Sequence, residues 1–181
     1  ITGSRIGAIN LSGSLEFGLP LGVPVFGGGL DFIMSLLGTA AVRAGRTCDR
    51  AGTSEGINYC SDTAVDSPGL LALPHAIPGL YNVAGILPFT GLAFEWFRSF
   101  SGSDDYTSML ESISAVGHLP NGPFFFPSLA AKAPWKFTKS AFWGLDPDHG
   151  YAEMGRAVVE SIGFAVREKL DELEQNGCVV E

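Results

Sequence analysis

The sequence predicts an α/β fold, and three observations carry that expectation. Short β-branched and apolar segments bounded by Gly and Pro recur between residues 23 and 87. Beyond residue 90 the apolar positions change to helical spacing, most clearly at Met154, Val158, Ile162, Val166, Leu170 and Leu173. The chain has 181 residues, without an internal repeat, a low-complexity segment or a linker-like stretch. One domain of ~100–200 residues accommodates it and buries a substantial core.

Val23 to Gly28 reads as a short buried strand after Gly22. Asp31 to Arg43 then reads as a helix, with Ile33, Leu36, Leu37 and Ala40 on one side and Asp31 at its start. Arg46 to Ala51 and Gly56 to Ser61 alternate around Gly52-Thr53-Ser54, as a hairpin or bent strand pair does. Leu70 to Leu87, interrupted by Pro74, Pro78 and Gly79, is expected to form irregular strands. Two helices follow, Gly91 to Phe100 and Asp104 to Val116, and Asn121 to Pro127 returns to strand or loop. Gly150 to Gln175 is the firmest helix, stopped by Gly177, and Cys178-Val179-Val180 reads as a strand beginning.

Composition excludes several functions. A formal charge of −8 and 11 basic residues without a cluster leave no source of phosphate-backbone neutralisation, so nucleic acid is not an expected partner. Mean hydropathy is +0.24, yet no uninterrupted apolar run approaches the ~18 residues of a membrane span. The apolar excess is expected to face another protein domain. Cys48, Cys60 and Cys178 lack Cys-x-x-Cys spacing, so reduced thiols in a cytoplasmic protein are expected, with neither disulfide nor zinc site. The first residue is Ile1 and no signal-peptide pattern precedes the fold, so the chain is expected to be a piece of something longer.

Gly52-Thr53-Ser54-Glu55-Gly56 fits the Gly-x-Ser-x-Gly pattern of a hydrolase nucleophile elbow. An elbow needs a buried apolar strand before the serine and a helix after it. Here Cys48-Asp49-Arg50 is polar and Ile57-Asn58-Tyr59-Cys60 is strand-like, so a phosphate-cradling turn is the better reading. Gly27-Gly28-Gly29 fails the dinucleotide pattern, because its sixth position is Phe32, and no Gly-x-x-x-x-Gly-Lys exists. Those glycines nevertheless leave Asp31 beside exposed backbone. His75, His118 and His149 share no ligand spacing, so no metal is assigned and surface or capping roles are expected. Trp96, Trp135 and Trp143 with Phe124-Phe125-Phe126 could stack a ring, but core or interface packing is favoured.

Taken in order, these segments resemble the carbohydrate kinases of the FGGY family, especially xylulose- and gluconate-kinase-like members. Phe17-Gly18-Leu19-Pro20-Leu21-Gly22-Val23-Pro24-Val25 looks like the family's Gly-Leu-Pro lead-in, and Asp31 with Gly38 keeps the spacing of its Gly-Asp helix start. Gly52-Thr53-Ser54 is similar to its phosphate turn, and Gly91-Leu92-Ala93-Phe94-Glu95-Trp96-Phe97-Arg98 to its Gly-x-x-x-Gln/Glu-Trp helix. Phe126-Pro127-Ser128-Leu129 stands where Leu-Pro-Tyr-Leu is usual. Ser140 to Leu145, then seven residues, then Glu153 to Ser161 fit the second family signature.

The resemblance implies an actin-like, ribonuclease-H-like ATPase fold, a mixed sheet flanked by helices, with residues 1–181 forming most of a C-terminal domain. It implies ATP-dependent phosphorylation of a sugar or polyol hydroxyl (pentulose, aldonate or polyol), with ATP and Mg²⁺ as cofactors. The missing N-terminal domain would be the partner, the adenine-binding end would lie past Glu181, the fragment alone would be inactive, and a homodimer is allowed. Asp31 is then the catalytic base. Gly52, Thr53, Ser54, Gly91 and Glu95 lie about the ATP phosphates, and Asp31 and Phe32 bind substrate. Leu30 and Phe32 depart from the family pattern, where glycine precedes the base and Asn or Gln follows it. The alternative reading is a catalytically decayed nucleotide-binding regulatory or interaction module on the same fold.

Overall fold

The computed structural model describes residues 2–129 and 136–180. Its centre is a four-stranded antiparallel sheet in the order β3-β4-β6-β5, made from β3 (Thr47–Ala51), β4 (Glu55–Ser61), β5 (Leu70–Pro74) and β6 (Tyr81–Leu87). Two smaller ladders flank it, β1 (Arg5–Ala8) with β2 (Pro24–Phe26) and β7 (Phe124–Phe126) with β8 (Ala141–Trp143). The helices are α1 (Leu11–Phe17), α2 (Asp31–Gly38), α3 (Thr90–Ser101), α4 (Tyr106–Val116) and α5 (Tyr151–Gln175).

Strand alternation gives the central sheet two faces. Ile57, Leu70 and Val83 project to one side, where Leu173 of α5 and Cys178 cover them. Cys48 and Leu73 project to the other and meet Ile33 and Leu36 of α2 and Ala41. That second face also buries a polar pair: Asn82 Nδ2 donates to Asn58 Oδ1 at 3.0 Å, and Asn58 Nδ2 donates to the Gly56 carbonyl. Paired amides keep their burial from costing unmade hydrogen bonds.

The third cluster joins the three long helices. Ala93 and Phe97 of α3, Met109 and Ile113 of α4 and Ala157 and Val158 of α5 are all buried around Leu87 and Phe89. Phe97 stacks on Tyr151 at 5.8 Å. Gly155 permits this crossing, since a Cβ there would come within 2.6 Å of Ile113 and 2.8 Å of Phe97. The helix ends are built locally. Asp105 caps α4 by accepting from the Thr107 and Ser108 amides, and Glu153 reaches back to the Gly150 N–H at 2.9 Å at the start of α5.

Several expectations need correction. The helix expected to reach Arg43 ends at Gly38. Ala40 turns left-handed at φ 57°, and the Ala41 N–H closes onto the Leu36 carbonyl at 3.0 Å, which buries Ala41 with Leu36. Residues 70–87 form a regular hairpin rather than irregular strands. Pro74 ends the edge strand, where no ladder bond is lost, and Gly79 supplies the turn at φ 83°. Residues 178–180 take no strand structure; the Cys178 N–H instead bonds the Leu173 carbonyl at 2.9 Å and its side chain enters the core.

His75 is 7% exposed, not a surface group, and its Nδ1 accepts from the Ile77 N–H at 3.0 Å. Trp96 packs inward, 5.7 Å from the Phe125 ring, whereas Trp143 is 73% exposed. Trp135 lies outside the described residues. No helix among the described residues is long and apolar enough to cross a membrane. All three cysteines are free, and burial, followed by the Asp62 charge, pushes the Cys60 thiol up.

Candidate active site

Gly52, Thr53 and Ser54 form the tip of the β3–β4 hairpin, closed by the Ala51–Glu55 pair. Gly52 and Thr53 are exposed, so their polar groups can meet a ligand. Strand follows this serine and not helix, which removes the geometry of a nucleophile elbow. The first turn of α3 packs directly beneath the tip. The Leu92 N–H donates to the Thr53 carbonyl at 3.1 Å, and a Cβ on Gly91 would fall 1.9 Å from the Gly52 carbonyl oxygen. Gly91 and the turn, distant in sequence, are thus one unit. A glycine turn braced on a helix start offers backbone amides and a favourable dipole to an anion.

Asp31 is the first residue of α2, exposed, with Leu30 as the N-cap. Its Oδ1 accepts from the Phe32 N–H at 2.7 Å. Phe32 is half-buried, and the Arg50 guanidinium carbon sits 5.8 Å from its ring centroid. That contact ties the start of α2 to the strand that enters the turn. Asp31 and Phe32 therefore lie on the same side of the hairpin as Arg50.

Glu95, one turn into α3, is engaged by protein groups. Arg98 donates to it from Nε at 3.1 and 3.2 Å and from its terminal nitrogen at 2.6 Å, and the Tyr106 hydroxyl also donates to it. The Arg98 hydrogen bonds, then Tyr106, hold its carboxyl down to about 2. Both oxygens are occupied in a clamp between α3 and the start of α4. Among the described residues no three His, Cys, Asp or Glu side chains gather where a metal ion could sit.

Two residues at the site escape sequence reasoning. Glu55, directly after the turn, is 5% exposed. Burial, and then the Asp49 charge, push its carboxyl up, while the Thr90 hydroxyl acts in the opposite direction. Arg50 contributes to the sequence pattern only as polarity unsuited to a hydrolase strand. The acid-flanked turn is visible as Asp49-Arg50-Ala51-Gly52-Thr53-Ser54-Glu55, but burial of Glu55 against Thr90 requires the fold.

Residues 50–180 match the FGGY family of carbohydrate kinases, C-terminal domain. The autoinducer-2 kinase of Klebsiella pneumoniae subsp. pneumoniae is 29% identical over 192 aligned residues, covering 96% of this chain and 36% of its own length. The crystal structure of xylulose kinase from Rhodospirillum rubrum superposes with a TM-score of 0.82 at 28% identity, covering 99% of this chain and 38% of that one. Plasmodium falciparum glycerol kinase with ADP superposes at 0.79 with 18% identity, covering 99% and 37%, which is a likeness of fold. The chain thus spans little more than a third of the length of these relatives. A phosphate-type turn braced on a helix, an actin-like α/β frame and a family match over residues 50–180 agree, and this chain belongs to the FGGY family of carbohydrate kinases.

Proposed function

We propose that the protein containing this chain transfers the γ-phosphoryl group of ATP to a hydroxyl of a sugar or polyol. One observation supports this above the others: the exposed Gly52–Ser54 turn is braced by α3 at Gly91 while Arg50 and Phe32 hold the start of α2, and so Asp31, to the same hairpin. The residues here would form most of a C-terminal domain, and a preceding domain would contribute further phosphate and sugar contacts.

In this reading Asp31 accepts the proton of the acceptor hydroxyl. The acceptor oxygen bonds to the γ-phosphorus as the bond from that phosphorus to the β–γ bridging oxygen breaks, and ADP leaves with the electron pair. Gly52, Thr53 and Ser54 direct amides and hydroxyls at the phosphates. Gly91 keeps the turn seated on the helix. Glu95 supports the site from behind by fixing Arg98 and Tyr106. Mg²⁺ accompanies ATP and neutralises its charge when bound. The described side chains do not build its site, so the roles given belong to this chain's own residues.

The test is phosphorylation by the full-length protein. The acceptor panel contains D-xylulose, D-gluconate, glycerol and autoinducer-2, with ADP release and product mass as readouts. Turnover with at least one acceptor is expected. ATP binding without turnover on any of them would replace this proposal with the nucleotide-binding regulatory module, a reading that the unusual Phe32 favours.

A further inference from the structure

Arginines in a folded protein are seldom withdrawn from water without an anion beside them. Three arginines of this chain are partly buried: Arg50, Arg98 and Arg156. Arg98 pairs with Glu95 at 2.6 Å and Arg156 with Glu160 at 2.7 Å. Arg50 pairs with no acid among the described residues, although the chain has 19 acidic side chains against 11 basic ones. Its Nε is buried with no hydrogen-bond acceptor. The neighbouring Asp49 does not serve, because it faces the Ile57 side of the strand while Arg50 faces the Gly56 side.

The side chain is nevertheless held in place. It lies across Gly56, where a Cβ would come 3.5 Å from its terminal nitrogen, and its guanidinium rests over the Phe32 ring. Two residues further along β3 the chain enters the Gly52–Ser54 turn, and one residue before Phe32 stands Asp31. Arg50 therefore links the turn, where phosphates would lie, with the carboxylate that would take the acceptor proton. The group that passes between those two places is the phosphoryl group itself.

The geometry points to Arg50 as a catalytic residue that binds the oxygens of the γ-phosphoryl group during transfer, an inference resting on the kinase function proposed above. Its planar fork suits phosphoryl oxygens, and the cost of holding it unpaired is offset only when that anion arrives. Phe32, a departure from the usual hydrogen-bonding residue, then acts as the platform that keeps the guanidinium raised. A preorganised donor of this kind stabilises charge that develops in the transition state.

The test compares Arg50→Met and Arg50→Lys with wild type in the full-length protein. With Arg50→Met, kcat should fall by about 10²–10³-fold, the usual loss for one such donor, whichever acceptor is used. The KM for ATP should stay within a few-fold of wild type. Arg50→Lys, which keeps the charge and the aliphatic stem, should recover part of the rate. Calorimetric titration should show ADP binding unchanged in Arg50→Met, with the extra affinity for ADP plus fluoroaluminate lost. An unchanged kcat would overturn the inference, as would an effect confined to the KM for D-gluconate, which would make Arg50 a reader of an acidic acceptor. Equal loss of melting temperature and of ADP binding in both variants would also overturn it, as a packing role. Failure of the wild-type protein to phosphorylate any acceptor is a separate result and removes the kinase proposal with it.

Discussion

The α-carbon of Gly91 faces the Gly52 carbonyl so closely that a Cβ would stand 1.9 Å from the oxygen. The start of α3 and the tip of the β3–β4 hairpin cannot move apart or together without disturbing each other. Gly91→Ala should therefore destabilise the protein by about 1–3 kcal/mol, the usual cost of overpacking a rigid contact. Because the displaced group is the turn, ADP affinity of the full-length protein should fall as well. Denaturant titration and calorimetry measure the two losses, and retention of both properties would mean that the turn relaxes freely.

Asp31→Asn keeps size and most hydrogen bonding but removes proton acceptance. In the full-length protein kcat should fall by about 10²–10⁴-fold, the range for loss of a general base, with ATP and acceptor binding little changed. Since Leu30 is the N-cap and Asp31 only the first helical residue, stability should be nearly preserved. A near-wild-type kcat would remove Asp31 from the chemistry.

Thr53→Val exchanges the exposed hydroxyl of the turn for a methyl group of similar size. The KM for ATP should rise while the KM for the acceptor holds, because only a phosphate contact is lost. Unchanged kinetics for both substrates would take Thr53 out of the phosphate site.

Glu55 makes a stability prediction with a definite sign. Its folded-state pKa is raised, chiefly by burial and then by Asp49, so the folded protein holds that proton more tightly than the unfolded chain. The stability that Glu55 contributes is present below the ordinary value of 4.5 and is lost as pH rises through the folded pKa. Glu55→Gln should accordingly raise the melting temperature at pH 7, by roughly 2–4 °C if the gain is about 1 kcal/mol. The gap between variant and wild type should close below pH 4.5. A lower melting temperature at pH 7 would show that the ionised carboxylate is needed there.

Glu95 has the opposite sign. Its carboxyl is held down to about 2 by Arg98 and then Tyr106, so the stability of this clamp is present above 4.5 and is lost as pH falls from there towards about 2. Tyr106→Phe removes one donor. Melting curves of wild type and variant should differ at neutral pH and converge across that acid window. Parallel curves would mean that the clamp adds nothing to stability.

Elements whose cause is local are legible in the residues themselves. The long helix α5 follows from the spacing of Met154 to Leu173, and the β3–β4 hairpin from alternation about Gly52-Thr53-Ser54. The place of Asp31 at a helix start is equally plain. Short elements are not. The helix α1 spans only Leu11–Phe17, buries no residue and contains Gly13, so its apolar positions leave no helical stripe to read. Ala141–Trp143 is a strand only because it pairs with Phe124–Phe126.

By itself the sequence determined the α/β class, the phosphate-type turn, the helix that Asp31 begins and the family motifs, since each depends on residues within a turn or two of one another. The tertiary structure alone decided that Glu55 is buried near Thr90, that Glu95 is bound by Arg98 and Tyr106, and that Arg50 lies unpaired over Phe32. Those facts depend on which strand face meets which helix. Strand alternation assigns a side chain to a face, but the partner waiting on that face is supplied by chain folded back from elsewhere, and so is the burial that changes its chemistry.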